Sequence, residues 1–452
     1  MSLSSESITI VGAGPTGTLL AILLQRRGLR VTLYEARPDP RGAGPTSGRS
    51  INLALADRGL NALEQAGVLG SIRASLMPMR GRLVHRADGT SLLQPYGQRL
   101  SEINHSVSRH RLNQALVEIA AQLPHLDMHF EHRLEDLDFA AGMAMIRDLR
   151  QERAFPVAMR PLIATDGAGS LVRRRMCARG YIEAREEDLE HGYKELSIPA
   201  RSGTFALAAD ALHIWPRGNY MLIALPNTDG SFTATLFLPK HGDPSFETLN
   251  TPEAIDRFLS DSFGDVRRLM PHCLHEFLDH PTGFLGTVYA DSWHRGGMAA
   301  LVGDAAHAIV PFHGQGMNCC FEDCMEFDAC VERHSSWEAL FEEFESIRHP
   351  NTDAIAAMAL ENYVEMRERV ADSSFQLQQT LALELEKRHP RYFIPRYSMV
   401  MFHHEIPYQV ARQRGMVQAA LLNELAAQAG SLSDVDWDLA AREIERRLTP
   451  LS

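Results

Sequence analysis

Residues 8–35 read ITIVGAGPTGTLLAILLQRRGLRVTLYE, and the order of features within them decides the fold. The β-branched run Ile8–Val11 predicts a strand, Gly12-Ala13-Gly14-Pro15-Thr16-Gly17 a tight turn, Thr18–Arg27 a helix, and Val31–Tyr34 a second strand. Each glycine has its own task. Gly12 permits the turn, Gly14 lets the backbone approach a pyrophosphate, and Gly17 lets the helix lie close to the strand. Glu35 closes the second strand 23 residues after Gly12, where a carboxylate accepts hydrogen bonds from a ribose. The unit predicts a Rossmann-like dinucleotide site. FAD and NAD present the same adenosine diphosphate to it, so the fingerprint alone does not choose between them.

Outward from this unit the pattern changes. Three strand-like runs, Leu212–Pro216, Tyr220–Pro226 and Ser231–Pro239, are separated by Arg217-Gly218-Asn219 and Asn227-Thr228-Asp229-Gly230. Such links are hairpin turns, and the region predicts an antiparallel meander. A βαβ start followed by an antiparallel sheet implies two layered units rather than one doubly wound domain. Beyond about Ala339 the chain reads as helical, with Ile355, Met358, Ala359, Tyr363 and Met366 at helical spacing.

Composition narrows the function classes. The 452 residues allow a large buried cleft, and 45% hydrophobic with 23% charged residues is ordinary for a globular protein. A net charge of −12 argues against a nucleic-acid surface, and the run Arg173-Arg174-Arg175 reads as a solvated helix face. The six cysteines, four of them between Cys319 and Cys330, do not form a disulfide framework and suit a reducing cytoplasm. Cys319, Cys320 and Cys324 lack the Cys-x-x-Cys spacing of a metal site, so no metal is expected. His403-His404 reads as a polar pair rather than a catalytic base. No run reaches the ~18 apolar residues that span a bilayer, and the first strand begins too early for a signal peptide to precede it. A soluble, unprocessed protein is expected. Its oligomeric state is open, a homodimer among the options.

Two further stretches carry chemistry. In AALVGDAAHAIVPFHGQGMNCCF, residues 299–321, an apolar strand delivers Gly303-Asp304, and a glycine-bearing loop then opens a helix near Gly316. Asp304 can accept from a ribityl chain, while backbone N–H groups of Gly314–Asn318 and the helix dipole face a flavin's pyrimidine edge and stabilise its anionic reduced form. Ala164-Thr165-Asp166-Gly167-Ala168-Gly169 follows a second apolar strand, Pro161–Ala164. Taken alone, Asp166-Gly167 is an ordinary turn.

The order of these motifs, Gly-rich fingerprint, then Asp-Gly, then Gly-Asp, resembles the single-component flavoprotein hydroxylases, as does Arg109-His110-Arg111-Leu112-Asn113-Gln114-Ala115-Leu116, matching their Arg-x-x-Leu-x-x-x-Leu helix. In that family the Asp-Gly segment serves both FAD and NADPH. The other glycine cluster, Gly42–Gly48, follows no strand, so a second nucleotide domain is not expected. Narrower segments, Gly48–Leu55, Arg80-Gly81-Arg82, Gln94–Gly97, His191–Leu196, Pro311–Asn318, Glu361–Met366 and Pro395–Met399, resemble the kynurenine 3-monooxygenase family.

That resemblance implies an α/β protein: a Rossmann-like FAD-binding domain of the para-hydroxybenzoate hydroxylase type, interleaved with an antiparallel-sheet substrate domain, plus a C-terminal helical segment. The expected boundaries are 1–72, 101–175 and 290–338; 73–100 and 176–289; and 339–452. FAD would be held by Gly12, Gly14, Gly17, Glu35, Arg37, Arg109, Asp166, Asp304, Gly316, Met317 and Asn318, with Pro311, Phe312, His313 and Gly314 beside the flavin and no nucleophile. The α-amino acid head of L-kynurenine falls to Arg82, Tyr96, Asn362 and Tyr397, because a buried carboxylate needs a guanidinium and neutral donors. Ile223, Leu225, Phe237 and Met366 would form the apolar slot for the aryl ketone. The implied reaction, in tryptophan catabolism, uses NADPH, bound FAD and O₂ to hydroxylate the 3-position through a flavin 4a-hydroperoxide, giving 3-hydroxykynurenine and water. A related hydroxylase of another aromatic acid, or a non-catalytic FAD redox sensor, would share the cofactor motifs. Family members with a membrane-anchoring C-terminus differ from this chain, whose charged amphipathic stretch Leu439–Ser452 has no apolar span, so no membrane is expected.

Overall fold

The computed structural model describes residues 3, 6–42, 52–159, 161–369 and 373–451. Gly48–Ile51, part of a stretch quoted above, and the glycine cluster after Gly42 lie outside the described residues. Contacts divide the chain into two units, Met1–Leu76 with Val107–Leu189 and Leu285–Ala356, and Met77–Ser106 with Glu190–Phe284 and Ala357–Ser452.

The first unit is built on a six-stranded sheet in the order His294–Arg295, Ala299–Leu301, Leu162–Ala164, Ser7–Val11, Arg30–Glu35 and Leu126–Phe130. All neighbours run parallel except the edge strand His294–Arg295. Parallel strands require crossover connections, and helix Pro15–Arg26 is the first of them. Its Leu19, Leu20 and Leu24 are fully buried, as are Ile10, Leu33, Leu162 and Leu301 of the sheet. Each such side chain contributes roughly 1.5–3 kcal/mol by leaving water. Helix Gly316–Arg333 packs on both Pro15–Arg26 and Asp57–Gln65. Helices Pro15–Arg26, Leu171–Ala178 and Asp304–His307 begin just beyond the carboxyl ends of strands Ser7–Val11, Leu162–Ala164 and Ala299–Leu301, the side on which open α/β sheets bind ligands.

The second unit holds a six-stranded sheet in the order His191–Ile198, Phe232–Pro239, Met221–Pro226, Ala211–Pro216, Gly81–His85 and Ser91–Pro95. The three meander strands fall within a residue of the predicted bounds, and Gly218 and Gly230 take φ of 71° and 86° in the two turns between them. Strand alternation sorts the faces. Trp215, Leu222, Ala224, Phe232, Ala234, Leu236 and Leu238 point into a core completed by Phe258, Leu259 and Phe263 of helix Pro252–Arg267 and Phe277 of helix Cys273–Asp279. Arg82, Leu212, Ile223, Leu225 and Phe237 occupy the other face, as the paired registers require. Helices Ser373–Arg388, Tyr408–Gln428 and Trp437–Arg447 bury Leu381, Leu385, Leu421, Leu425 and Ile444 against one another. Among the described residues, no helix is long and apolar enough to cross a membrane.

Candidate functional site

The fingerprint turn in the first unit is sterically committed to glycine at two positions. Gly12 has φ 103°, and a Cβ there would lie 2.4 Å from the Thr165 carbonyl oxygen. A Cβ on Gly17 would lie 2.0 Å from the Gly12 carbonyl oxygen and 2.3 Å from Thr165 Oγ1. The Thr165 hydroxyl itself donates to the Gly12 carbonyl at 2.8 Å, tying this turn to the strand ending at Ala164. Gly14 differs: among the described residues nothing lies within 4 Å of the position a Cβ would take. It caps helix Pro15–Arg26, whose first turn has no acidic residue, so the positive helix end faces open space suited to a pyrophosphate.

Glu35 locks the adjoining strand end to this turn. It accepts from the Ala13 N–H at 2.8 Å, from the Arg37 N–H at 2.8 Å, and from the Arg37 guanidinium at 2.9 and 3.1 Å. Burial works to raise its pKa, but the Arg37 fork and the two backbone donors outweigh it and hold the carboxyl below the usual range. Asp166 has one oxygen accepting from the Leu171 N–H at 2.8 Å, while its buried Oδ1 has no partner among the described residues. Burial accordingly raises its pKa, opposed by the Ser170 hydroxyl and backbone donors. A buried carboxylate oxygen without a donor fits a ligand hydroxyl.

Asp304 opens the short helix Asp304–His307 directly after Gly303, which has φ 67°. Pro311 is exposed, Phe312 and His313 are buried, and Gly314 closes the turn in the left-handed region at φ 67°. Gly316, Met317 and Asn318 form the first turn of helix Gly316–Arg333. The Asn318 side chain is engaged in the scaffold: it accepts from the Ala56 N–H at 2.9 Å and donates to the Ala54 and Gly314 carbonyls at 2.8 Å each. Gly59 follows from that, since a Cβ there would lie 2.4 Å from Asn318 Oδ1. Arg109 is exposed at the first position of helix Arg109–Ala120, whose Leu112 and Leu116 are fully buried.

The motif reading missed the support behind these loops. Asp323, fully buried, accepts from the Gly303 N–H at 3.2 Å and the Arg348 Nε at 2.7 Å and lies 2.6 Å from His307 Nε2. Arg348 also donates to Glu322 at 2.6 Å, and Glu322 accepts from buried Arg58 at 2.5 Å. Burial would raise the Asp323 pKa, yet His307 and Arg348 hold it low. His307, Cys319 and Asp323 lie within 4.8 Å of one another, but the Arg348 guanidinium occupies the place a cation would take, and burial pushes the Cys319 thiol well up. The expectation that Arg173 lies on a solvated face is corrected: it is 1% exposed and donates to the Ala305 and Ala168 carbonyls and to Glu186. It staples the Asp-Gly loop to the Gly-Asp helix, and three consecutive arginines gave no local sign of which one turns inward.

In the second unit, Arg82 is buried with its guanidinium 4.7 Å from the Tyr397 ring centroid and 6.0 Å from that of Tyr96. The two rings stack at 5.7 Å. Glu365 Oε1 stands 4.0 Å from Arg82 Nη1, and Arg82 Nε is buried with no partner among the described residues. Burial disfavours the charge, but Tyr397, Tyr96 and Glu365 retain it. Burial also pushes up both phenols, against hydrogen bonding from Arg82 and Asn104. Ile223, Leu225 and Met79 share one apolar cluster with Tyr96 and Tyr397. Phe237 lies on the same sheet face, 6.3 Å from the Tyr193 ring. Asn362 donates to Met366 Sδ at 3.3 Å, one helical turn on, with Glu365 between them in sequence. Asn104 and Glu365 escaped the motif reading because each meets the group only through long-range folding.

A Gly-rich cradle, an orphaned carboxylate oxygen and two strand-end carboxylate loops suit a bound dinucleotide, and the matching family makes the class an FAD-binding protein. Residues 5–359 match the family described as FAD binding domain. Kynurenine 3-monooxygenase of Stenotrophomonas maltophilia (strain K279a) is 48% identical over 449 residues, covering 99% of this chain and 98% of that protein. The protein of the same name from Xanthomonas axonopodis pv. citri (strain 306) is 46% identical over 99% of this chain and 98% of its own length. The chain belongs to the kynurenine 3-monooxygenase family of FAD-dependent aromatic monooxygenases. Solved structures with the same fold include tetrameric 2-methyl-3-hydroxypyridine-5-carboxylic acid oxygenase, at TM-score 0.65 and 21% identity over 84% of this chain and 98% of that one. Tetracycline destructase Tet(55) matches at TM-score 0.62 and 17% identity, covering 86% and 98%.

Proposed function

We propose that this chain hydroxylates L-kynurenine at the ring 3-position, consuming NADPH, a proton and O₂ and yielding 3-hydroxykynurenine, NADP⁺ and water. One observation carries the substrate assignment: a buried, underpaired guanidinium at Arg82, flanked by the Tyr96 and Tyr397 phenols. A buried cation in that state gains most from a carboxylate, and the neutral phenols add donors without competing charge. Asn362, at the end of helix Trp337–Val364, is a further donor toward the same head group, and Ile223, Leu225, Phe237 and Met366 line the aryl slot.

FAD, when bound, supplies the redox chemistry, taking hydride from NADPH and activating O₂ for transfer to the ring. Gly14 and the helix it caps would hold the pyrophosphate, Glu35 with Arg37 the ribose, and Asp166 and Asp304 the ribityl side. Arg109 completes the cofactor set at its exposed helix start. Gly314, Gly316, Met317 and Asn318 would meet the pyrimidine edge with backbone N–H groups, and Pro311, Phe312 and His313 would cover the reacting face. The substrate's own ring amino group supplies the activation toward oxygen attack, so the residues orient the ring and keep water out rather than furnish a nucleophile. The six free thiols support a reducing, cytoplasmic setting on this reading.

The test is steady-state NADPH oxidation by the FAD-loaded protein with and without L-kynurenine, with product identified by mass. Strong stimulation with 3-hydroxykynurenine formed supports the reading. Stimulation with hydrogen peroxide as the only product would point to another aromatic acid as substrate.

A further inference from the structure

An α-amino acid head has two charges, and the Arg82 group answers only one of them. Arg82, Tyr96 and Tyr397 present donors to a carboxylate, whereas an ammonium needs an acceptor. Glu365 is one carboxylate at hand, but it already faces Arg82 at 4.0 Å. The other acceptor is Asn104, first residue of strand Asn104–Ser108, which pairs with Met79 in antiparallel register and is 2% exposed. Its side chain stands beside the Tyr96 and Tyr397 phenols and works to lower the pKa of both. With the amide N–H turned toward those oxygens, Oδ1 is left buried and without a partner among the described residues. A buried carbonyl oxygen lacking a donor carries a desolvation cost that an arriving N–H removes.

We propose that Asn104 determines specificity for an amino acid over a plain acid by accepting a hydrogen bond from the substrate's α-ammonium group through Oδ1. A neutral acceptor suits the position. A second carboxylate beside Arg82 would pair with the guanidinium and block the substrate's own carboxylate, while an amide oxygen takes the ammonium and leaves Arg82 available. Asn104 and Arg82 both stand beside the phenols and work against the burial that raises their pKa, and the phenol O–H groups are donors for the incoming carboxylate. The proposal rests on the reading of Arg82 as carboxylate partner.

The test measures Kd on the FAD-loaded protein, by perturbation of flavin absorbance, for L-kynurenine and for its desamino analogue 4-(2-aminophenyl)-4-oxobutanoic acid. In the wild type L-kynurenine binds the tighter. Asn104→Ala is expected to weaken L-kynurenine by ~10- to 100-fold and the desamino acid less than about twofold, so that the preference collapses. Equal weakening of both ligands would make Asn104 a prop for the tyrosines and overturn the proposal, as would no change in either. Asn104→Ser keeps a neutral oxygen acceptor without adding a charge and is expected to retain a preference for L-kynurenine even where the alanine variant fails to hold FAD; loss of preference in this variant also overturns it. A wild type that binds the desamino acid but not more weakly than L-kynurenine defeats the Asn104 role alone. A wild type that binds neither defeats the carboxylate reading as well.

Discussion

The guanidinium of Arg82 lies 4.7 Å from the centroid of the Tyr397 ring, within a residue environment that is almost wholly buried. The cation is held chiefly by aromatic faces, with Glu365 at the limit of an ion pair, so its strongest hydrogen-bonding directions remain for a ligand. On the proposed reading, the second unit thus holds a cation whose demand for an anion the substrate carboxylate would meet.

Arg82→Ala is expected to weaken L-kynurenine binding by ~2–5 kcal/mol, because it leaves the substrate carboxylate buried and underpaired. Arg82→Lys should recover little of that loss, since an ammonium neither stacks on Tyr397 nor presents a planar fork. Ligand titration of the holoprotein measures both; unchanged affinity in the alanine variant would remove Arg82 from the site.

Gly14→Ala and Gly12→Ala should part company. Gly14 has φ −68° and open space at its Cβ position, so the alanine variant should fold as the wild type does while binding FAD more weakly. Gly12→Ala places a methyl 2.4 Å from a carbonyl oxygen at φ 103° and should lose stability even without FAD. Thermal denaturation of the apoproteins beside FAD titration separates the two effects. Equal apoprotein destabilisation would contradict the open cradle at Gly14.

Asp323→Ala removes the anion shared by Gly303, His307 and Arg348 and leaves a buried guanidinium short of a partner. A loss of ~3–5 kcal/mol in stability is expected, with weaker FAD retention because the Gly303-Asp304 turn loses its anchor. Denaturant unfolding checks the first and the bound-flavin absorbance the second. Wild-type stability in this variant would show that the network contributes little.

The pH dependence of stability has an identifiable source in the second unit. His85 lies 2.9 Å from His213 Nδ1 and stacks on Trp215 at 4.2 Å; burial first, and His213 second, depress its pKa from 6.5 to about 4. A depressed value means the fold favours the neutral ring, so this contribution is complete above pH 6.5 and is lost as pH falls toward 4. The loss should approach ~2–3 kcal/mol. Melting curves at pH 7 and pH 5 should converge for His85→Gln relative to wild type; parallel profiles would rule His85 out.

Local patterns were the legible part of the sequence. Gly12 and Gly17 were read from the spacing of the glycine fingerprint between a strand and a helix, although the Thr165 contacts that enforce them are long-range, and the strand runs after Ala206 were read from alternation and turn chemistry. Arg82, Tyr96 and Tyr397 came from a family resemblance, since nothing in their separate segments announces that their side chains meet. Asp323, Arg348, Asn104 and Glu365 were not legible by either route. Each is an ordinary polar residue in its own segment, and its role exists only once chain segments far apart in sequence fold together.

The most direct check compares L-kynurenine with its decarboxylated analogue kynuramine as stimulants of NADPH oxidation coupled to ring hydroxylation. The wild type should prefer L-kynurenine by at least about 30-fold in kcat/KM, the ratio corresponding to ~2 kcal/mol, and Arg82→Ala should bring the two substrates close to parity. Equal preference in the wild type, or an Arg82→Ala variant that retains the full preference, would contradict the assignment of the buried guanidinium to the substrate carboxylate.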